Sequence, residues 1–231
     1  MLVGGRSDKP SSLAVVSIEN GIPSYGFYRR DIAERQVSTN FLNHITLDDV
    51  QILDLGSAAL IDGEDAQAWE VAFAKHHQAG RDAAAALTSL DPNIRPSLVA
   101  DADSYRARIK RMMQHAHILK LSDEDLHWLY PAATLVEGFE ACIRDSKAAL
   151  TLLTKGADGI IAQASSMMFE MAIHKTDNLV DSVGAGDTFM ASLLVWCSRH
   201  QITSRLALEN HSEAQIKQAL KRAAIATTLN F

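Results

Sequence analysis

Cysteine is almost missing from this 231-residue chain, with only Cys142 and Cys197 present. Both sit in apolar, helix-like surroundings, so buried free thiols in a reducing compartment are expected and a disulfide is not. No run of eighteen apolar residues occurs, which argues against a membrane-spanning helix. Met1-Leu2-Val3-Gly4-Gly5-Arg6 lacks the charged-then-apolar layout of a secretory leader. The cytoplasm is therefore the expected location. Positive charge is in short supply: 22 Lys and Arg against 28 Asp and Glu leave a net charge of −6. Such a balance disfavours nucleic acid as a partner, because phosphate backbones recruit basic surfaces. There is no Gly-x-x-x-x-Gly-Lys-Ser/Thr, so the P-loop is excluded. The nine histidines make no metal-ligand pattern; His76-His77 diverge on a predicted helix, and His115-x-His117 has no acidic or cysteine companion at ligand spacing.

What is present suits one α/β domain, with 47% hydrophobic and 22% charged residues. Ser12–Ile18 and Ser24–Arg29 read as strands around an Asn20-Gly21 hairpin turn. Polar residues follow to about Thr46. From Val50 the pattern alternates: a buried strand over 50–55, a helix over 64–78 ended by Gly80, and a strand over 87–90 that stops at Asp91-Pro92. A basic-faced helix over 103–114, a strand over 117–121, a short acidic helix capped by Ser122 and a helix over 137–145 come next. Strands over 149–154, 159–162 and 168–174 precede two terminal helices, 186–199 and 213–228. This order predicts a mainly parallel sheet flanked by helices, with a small β-hairpin appendage. Ligands of such sheets bind beyond the carboxyl ends of the strands. Asp91, Lys120, Thr154 and Asp181 all fall at predicted strand ends and should converge along one edge.

The densest motif is Asp181-Ser182-Val183-Gly184-Ala185-Gly186-Asp187-Thr188-Phe189, running into the apolar stretch 190–196. Two glycines around an alanine, followed by a helix, present backbone N–H groups and a helix dipole to an anion. A carboxylate in the first turn beside a bound phosphate suits a base that deprotonates an attacking hydroxyl. Phosphoryl transfer is the reading, against a plain tight turn with an acidic helix start.

Three further segments stand upstream in order: Ser89-Leu90-Asp91-Pro92-Asn93-Ile94-Arg95-Pro96, Lys120-Leu121-Ser122-Asp123-Glu124-Asp125, and Leu153-Thr154-Lys155-Gly156-Ala157-Asp158-Gly159. Together with residues 181–189 they resemble the PfkB/ribokinase family of carbohydrate kinases, most of all its bacterial fructokinases. The resemblance implies a ribokinase-like fold, ATP and Mg²⁺ as cofactors, and a sugar as substrate. It implies Asp187 as the base, with the N–H groups of Gly184, Ala185 and Gly186 as an anion hole. Ser122 and Asp125 take the places of the family's Asn and Glu in an element that organises Mg²⁺ through water, and Asp125 is thereby the expected metal-side residue. Helix capping is the equally weighted alternative for both. Lys120, Ser122, Thr154, Gly156 and Gly159 are implied on the nucleotide side, with an ordinary turn as the other reading of the glycines. Tyr28, Arg29 and Arg95 are implied on the substrate side, Tyr28 and Arg29 on a lid that keeps water from ATP. For Tyr28, packing on the core is the competing reading; for Arg95, a surface position.

The expected organisation is a partial lid over 11–46 and an α/β nucleotide-binding core over 47–231. The family's usual first strands, with their sugar-gripping aspartate and Gly-Gly-Asn region, have no counterpart here, nor does the loop after the last helix. The chain is thus expected to be shortened at both ends, and Gly4-Gly5 is not assigned to a sugar site. A fructokinase-like activity leads; 2-keto-3-deoxygluconate kinase, ribokinase and a non-catalytic nucleotide-binding relative remain as alternatives. Pairing of two copies through the lid is also implied by the family.

Overall fold

A six-stranded sheet organises the chain in the computed structural model, which describes residues 7–19, 22–44, 50–82, 87–164, 166–173 and 183–228. Its strands are β3 (Ile52–Gly56), β4 (Leu87–Asp91), β5 (Ile118–Ser122), β6 (Leu150–Thr154), β7 (Ile160–Ala164) and β8 (Met167–Met171), lying side by side in that order. The first four run parallel, β7 runs back antiparallel to β6, and β8 reverses again against β7. The hairpin β1 (Leu13–Glu19) with β2 (Ile22–Tyr28) forms a separate antiparallel pair, Leu13 opposite Tyr28. Its turn residues Asn20 and Gly21 lie outside the described residues, as do Asp181 and Ser182.

The α-helices are α1 (Thr39–His44), α2 (Gly63–Asp82), α3 (Ala102–Met113), α4 (Asp123–Leu129), α5 (Leu135–Asp145), α6 (Ala185–Arg199), α7 (Arg205–Glu209) and α8 (Glu213–Thr228), with short 3-10 turns between some elements. Local chemistry sets several ends. Asp101 accepts the N–H groups of Asp103 and Ser104 at the start of α3, and Thr134 with Glu137 forms a capping box on α5. The short helices α1 and α7 were not expected from the sequence, and two further details depart from it. Helix α2 runs through Gly80 to Asp82, since one glycine costs only about 1 kcal/mol within a helix. Strand β3 is half-buried rather than fully buried, because among the described residues only β4 pairs with it, on one side.

Period-two alternation divides the core between the two faces. Leu55, Leu90, Leu119, Leu121 and Leu153 join Phe73, Ile109, Met112 and Phe139 on the face of α2 to α5. Leu87, Ile118, Leu150 and Leu152 join Phe189, Leu193, Ile216 and Leu220 on the face of α6 and α8. Each fully buried large side chain contributes about 1.5–3 kcal/mol. The same parity places Asp54, Asp91, Lys120 and Thr154 in register with the α6 face, at the carboxyl ends of their strands.

At the opposite ends, His77 stacks on His117 with ring centroids 4.5 Å apart. His117 Nδ1 accepts the Thr88 N–H at 3.0 Å, which leaves its proton on Nε2. The neighbouring His76 is buried, its Nε2 makes no hydrogen bond among the described residues, and burial lowers its pKa from 6.5. The fold accommodates the neutral ring, and the unfolded chain takes up the proton first. This contribution is complete above the unfolded value and is lost as pH falls through the lower folded one. Urea denaturation at about pH 7.5 and about pH 5.5 should show lower stability at the acid value. His76→Leu should shrink that difference.

Candidate active site

Helix α6 opens at Gly184, whose φ of +77° is the left-handed conformation that glycine adopts without steric cost. The first intrahelical bond runs from the Thr188 N–H to the Gly184 carbonyl at 2.8 Å. The N–H groups of Ala185, Gly186 and Asp187 therefore precede the helical ladder and point out of its amino end, where an anion is favoured. Asp187 is exposed in this first turn. Gly184 supplies the turn, and the N–H groups outside the ladder begin at Ala185, one residue later than the expected set of Gly184 to Gly186.

Beneath that turn lies a buried ion pair. Lys120 Nζ donates to Asp91 Oδ2 at 2.8 Å, with the two side chains 6% and 10% exposed. A Cβ added at Gly186 would stand 3.2 Å from the same Nζ, so the ammonium lies directly against the anion-facing turn. Burial pushes the Asp91 carboxyl up, and Lys120 pulls it back; Asp125 and Asp187 add to the rise. Asp91 Oδ1 has no hydrogen-bond partner among the described residues.

Asp91 and Asp187 border a cleft of about 350 Å³ lined also by Asp54, Gly56, Asn93, Met190 and Leu194, among others. Asp54 was missed as a site residue in the sequence, where it reads as one more position of an apolar strand. Its signal was an acid in phase with Ile52, on the side that the edge strand leaves open. Solvent reaches Asp54 through the cleft, although protein packs closely around its carboxyl. Desolvation raises that carboxyl from 3.8 to about 6; Asp91 and Asp187 reinforce the rise, while Ser89 and Lys120 oppose it. Between these values the folded state holds a proton that the unfolded chain has released. Asp54 therefore costs stability increasingly as pH rises from about 4 to about 6. Asp54→Asn should raise the melting temperature at neutral pH and leave it nearly unchanged below about pH 4, as thermal melts across that range will test.

The loop after β4 is pinned from several sides. Gly56 lies so close to β4 that a Cβ there would meet the Asp91 carbonyl oxygen at 1.8 Å. The Ser57 N–H donates to the Pro92 carbonyl at 2.9 Å, and Asn93 is held at φ +40° facing the cleft. Ser122 caps α4, accepting the Asp125 N–H at 3.0 Å, and its own N–H donates to Asp125 Oδ2 at 3.0 Å. Asp125 Oδ1 accepts the Ile94 N–H at 2.7 Å. Both oxygens of the buried Asp125 are so engaged, which does not fit the expected water-bridged metal contact. Among the described residues no three Asp, Glu, His or Cys side chains gather as a metal-binding group.

Thr154 ends β6 beside Ser122 and donates its hydroxyl to the Leu121 carbonyl at 3.3 Å. Gly156 and Gly159 shape the turn into β7, at φ +52° and +101°. A side chain at Gly159 would strike the Met171 carbonyl at 2.3 Å, whereas Gly156 has nothing within 4 Å of its Cβ position. The substrate-side candidates stand elsewhere. Tyr28 is 66% exposed at the end of β2. Arg29 lies in the field of Arg35, Asp65, Asp62 and Glu34, near the start of α2. Arg95 is half-buried at the head of a short 3-10 turn over Pro96–Leu98. None of these three lines the cleft as it stands. A smaller hollow of about 110 Å³ between α4 and α5 has no titratable group except His127 and Tyr130 along its wall.

The family model for pfkB family carbohydrate kinases matches residues 6–229. A fructokinase of Rhizobium leguminosarum bv. trifolii is 36% identical over 186 residues, covering 80% of this chain and 54% of that protein. A probable fructokinase-4 of Arabidopsis thaliana is 28% identical over 223 residues, covering 94% of this chain and 65% of that protein. The chain thus spans little more than half to two thirds of the length of these relatives. A fructokinase from Xylella fastidiosa, solved with bound ATP, superposes with a TM-score of 0.81 at 24% identity, over 97% of this chain and 68% of that one. An aminoimidazole riboside kinase from Salmonella enterica superposes with a TM-score of 0.72 at 20% identity, over 96% and 67%. These two likenesses concern the ribokinase-like fold.

Proposed function

The chain belongs to the pfkB family of carbohydrate kinases, and on that premise we propose that it transfers the γ-phosphoryl group of ATP to a sugar hydroxyl, with fructose the leading substrate. One observation carries the reading: the exposed Asp187 stands in the first turn of α6, above the Lys120–Asp91 pair and at the wall of the cleft.

Asp187 takes the proton of the sugar hydroxyl as that oxygen attacks the γ-phosphorus; the bond to the bridging oxygen breaks, and ADP leaves. The N–H groups of Ala185, Gly186 and Asp187 stabilise the negative charge that spreads over the transferring group. Lys120 adds a fixed positive charge from below the same turn. Ser122, Thr154, Gly156 and Gly159 border the nucleotide, where small side chains let it approach the backbone. Mg²⁺ would enter with ATP and neutralise part of the phosphate charge, needing few direct ligands from the protein. Tyr28, Arg29 and Arg95 reach the sugar when the hairpin closes, and the hairpin pairs with that of a second copy. The cytoplasm, where ATP is plentiful, is the proposed location.

Relatives named as fructokinases favour fructose over 2-keto-3-deoxygluconate or ribose. The test is ADP release with Mg·ATP and these three sugars. Fastest turnover with fructose supports the reading. ATP binding without sugar-dependent ADP release would identify a nucleotide-binding relative that lacks turnover.

A further inference from the structure

We infer that Asp125 is a positioning residue: it clasps the loop after β4 so that Asn93 faces the cleft, and it takes no part in holding a metal ion. The inference rests on the kinase reading for its substrate consequence, while the clasp itself stands on geometry. Asp125 is the third residue of α4 and is buried to 4% exposure. One oxygen accepts the N–H of Ser122, its capping partner, at 3.0 Å. The other accepts the N–H of Ile94, 31 residues earlier in the chain, at 2.7 Å. An aspartate in a capping box ordinarily serves its own helix only. Here the second oxygen binds the helix to the loop that carries Asn93 and Arg95.

That loop needs holding. Asn93 has φ of +40°, a left-handed conformation that costs free energy for a residue with a Cβ, although asparagine tolerates it better than most. Such a conformation persists when the flanking residues are fixed from outside. On one side the Pro92 carbonyl accepts the Ser57 N–H at 2.9 Å; on the other the Ile94 N–H is taken by Asp125. Asn93 between them turns into the cleft that Asp54, Asp91 and Asp187 also line. Its amide there can donate to a sugar hydroxyl and accept from one, beside the carboxylate that removes the proton. A carboxylate in a residue 4% exposed, with a backbone N–H on each oxygen, has little open surface to offer a hydrated Mg²⁺, which reaches its protein partners largely through water.

Asp125→Asn retains one acceptor but turns an amide N–H₂ toward either Ser122 or Ile94, each of which also donates. Asp125→Glu keeps the charge and can still cap Ser122, as Glu137 caps Thr134 on α5, but the added methylene displaces the oxygen that meets the Ile94 N–H. Amide hydrogen exchange of the full chain, followed at Ile94, should quicken about tenfold to a hundredfold in both variants. The gain from Mg²⁺ in ATP affinity, measured by titration calorimetry, should match that of the unsubstituted protein within about twofold. Where turnover is measured, KM for the sugar should rise more than kcat falls, because the loss is in placing the substrate. Unchanged exchange at Ile94 would overturn the clasp. A weakened Mg²⁺ effect in Asp125→Asn that Asp125→Glu restores would overturn the exclusion of the metal. Should the unsubstituted chain bind ATP without phosphorylating any sugar, the kinase reading fails, and exchange at Ile94 with the Mg²⁺ titration still decides the inference.

Discussion

Replacing Asp187 by alanine is expected to lower sugar-dependent ADP release by about 10²- to 10⁴-fold, the loss that follows removal of a general base. The size of the effect comes from position. Asp187 shares the first turn of α6 with the N–H groups of Ala185 and Gly186, and on the proposed reading this sets its carboxylate beside the attacking hydroxyl. Only Asp54 offers another solvent-open carboxylate among the residues lining the cleft, from the far side on β3. Removing Asp187 also takes a negative charge from beside the ATP phosphates, so nucleotide affinity should hold or rise by a few-fold. Kinetics and calorimetry on Asp187→Ala and Asp187→Asn separate the two effects: turnover falls in both, and ATP binding persists in both. Turnover within about tenfold of the unsubstituted protein would remove Asp187 from the base role. A loss carried by Asp54→Asn in its place would transfer that role to Asp54.

Much of this arrangement was legible in the sequence because it depends on local chemistry. The Gly184-Ala185-Gly186-Asp187 run marks both a left-handed turn and a helix start, and the structure has them there, with α6 beginning at Ala185. Asp91 and Thr154 close apolar runs, and each ends a parallel strand on the side where ligands of such sheets bind. What escaped depends on long-range neighbours. Asp54 gains its meaning from β3 being the sheet edge, which follows from strand order and not from residues 50–55 themselves. Asp125 was ambiguous for a different reason. An acid three residues after a serine satisfies a capping box and a metal-organising element alike, and only the Ile94 N–H distinguishes them. Arg29 has its charged neighbours near the start of α2, 33 to 36 residues ahead in the chain, where Asp62 and Asp65 gather. The short helix α1 reads as polar connection, because Leu42, buried within it, carries no period of its own.

Lys120→Met should be the most destabilising change within the site, by about 3–5 kcal/mol at neutral pH, because it strands a buried carboxylate. Asp91 is 7% exposed, and Lys120 Nζ is the charge-paired donor that offsets its burial. Without the ammonium, the Asp91 carboxyl rises further and holds its proton in the folded state. A raised folded value means that stability is retained below the ordinary carboxylate range and lost as pH climbs through the new value. The variant should therefore approach the unsubstituted protein in acid and fall away from it toward neutrality, as urea denaturation at several pH values will reveal. Lys120→Met combined with Asp91→Asn removes both charges and should recover most of the lost stability, since no ion is left unpaired in the interior. The double variant then isolates the second duty of Lys120. Its Nζ abuts the Gly186 position at the amino end of α6, so on the proposed reading its charge would support phosphate there as well as Asp91. ATP affinity in the refolded double variant should remain about tenfold below that of the unsubstituted protein, as expected for a lost charged contact. Full recovery of both stability and affinity would confine Lys120 to neutralising Asp91.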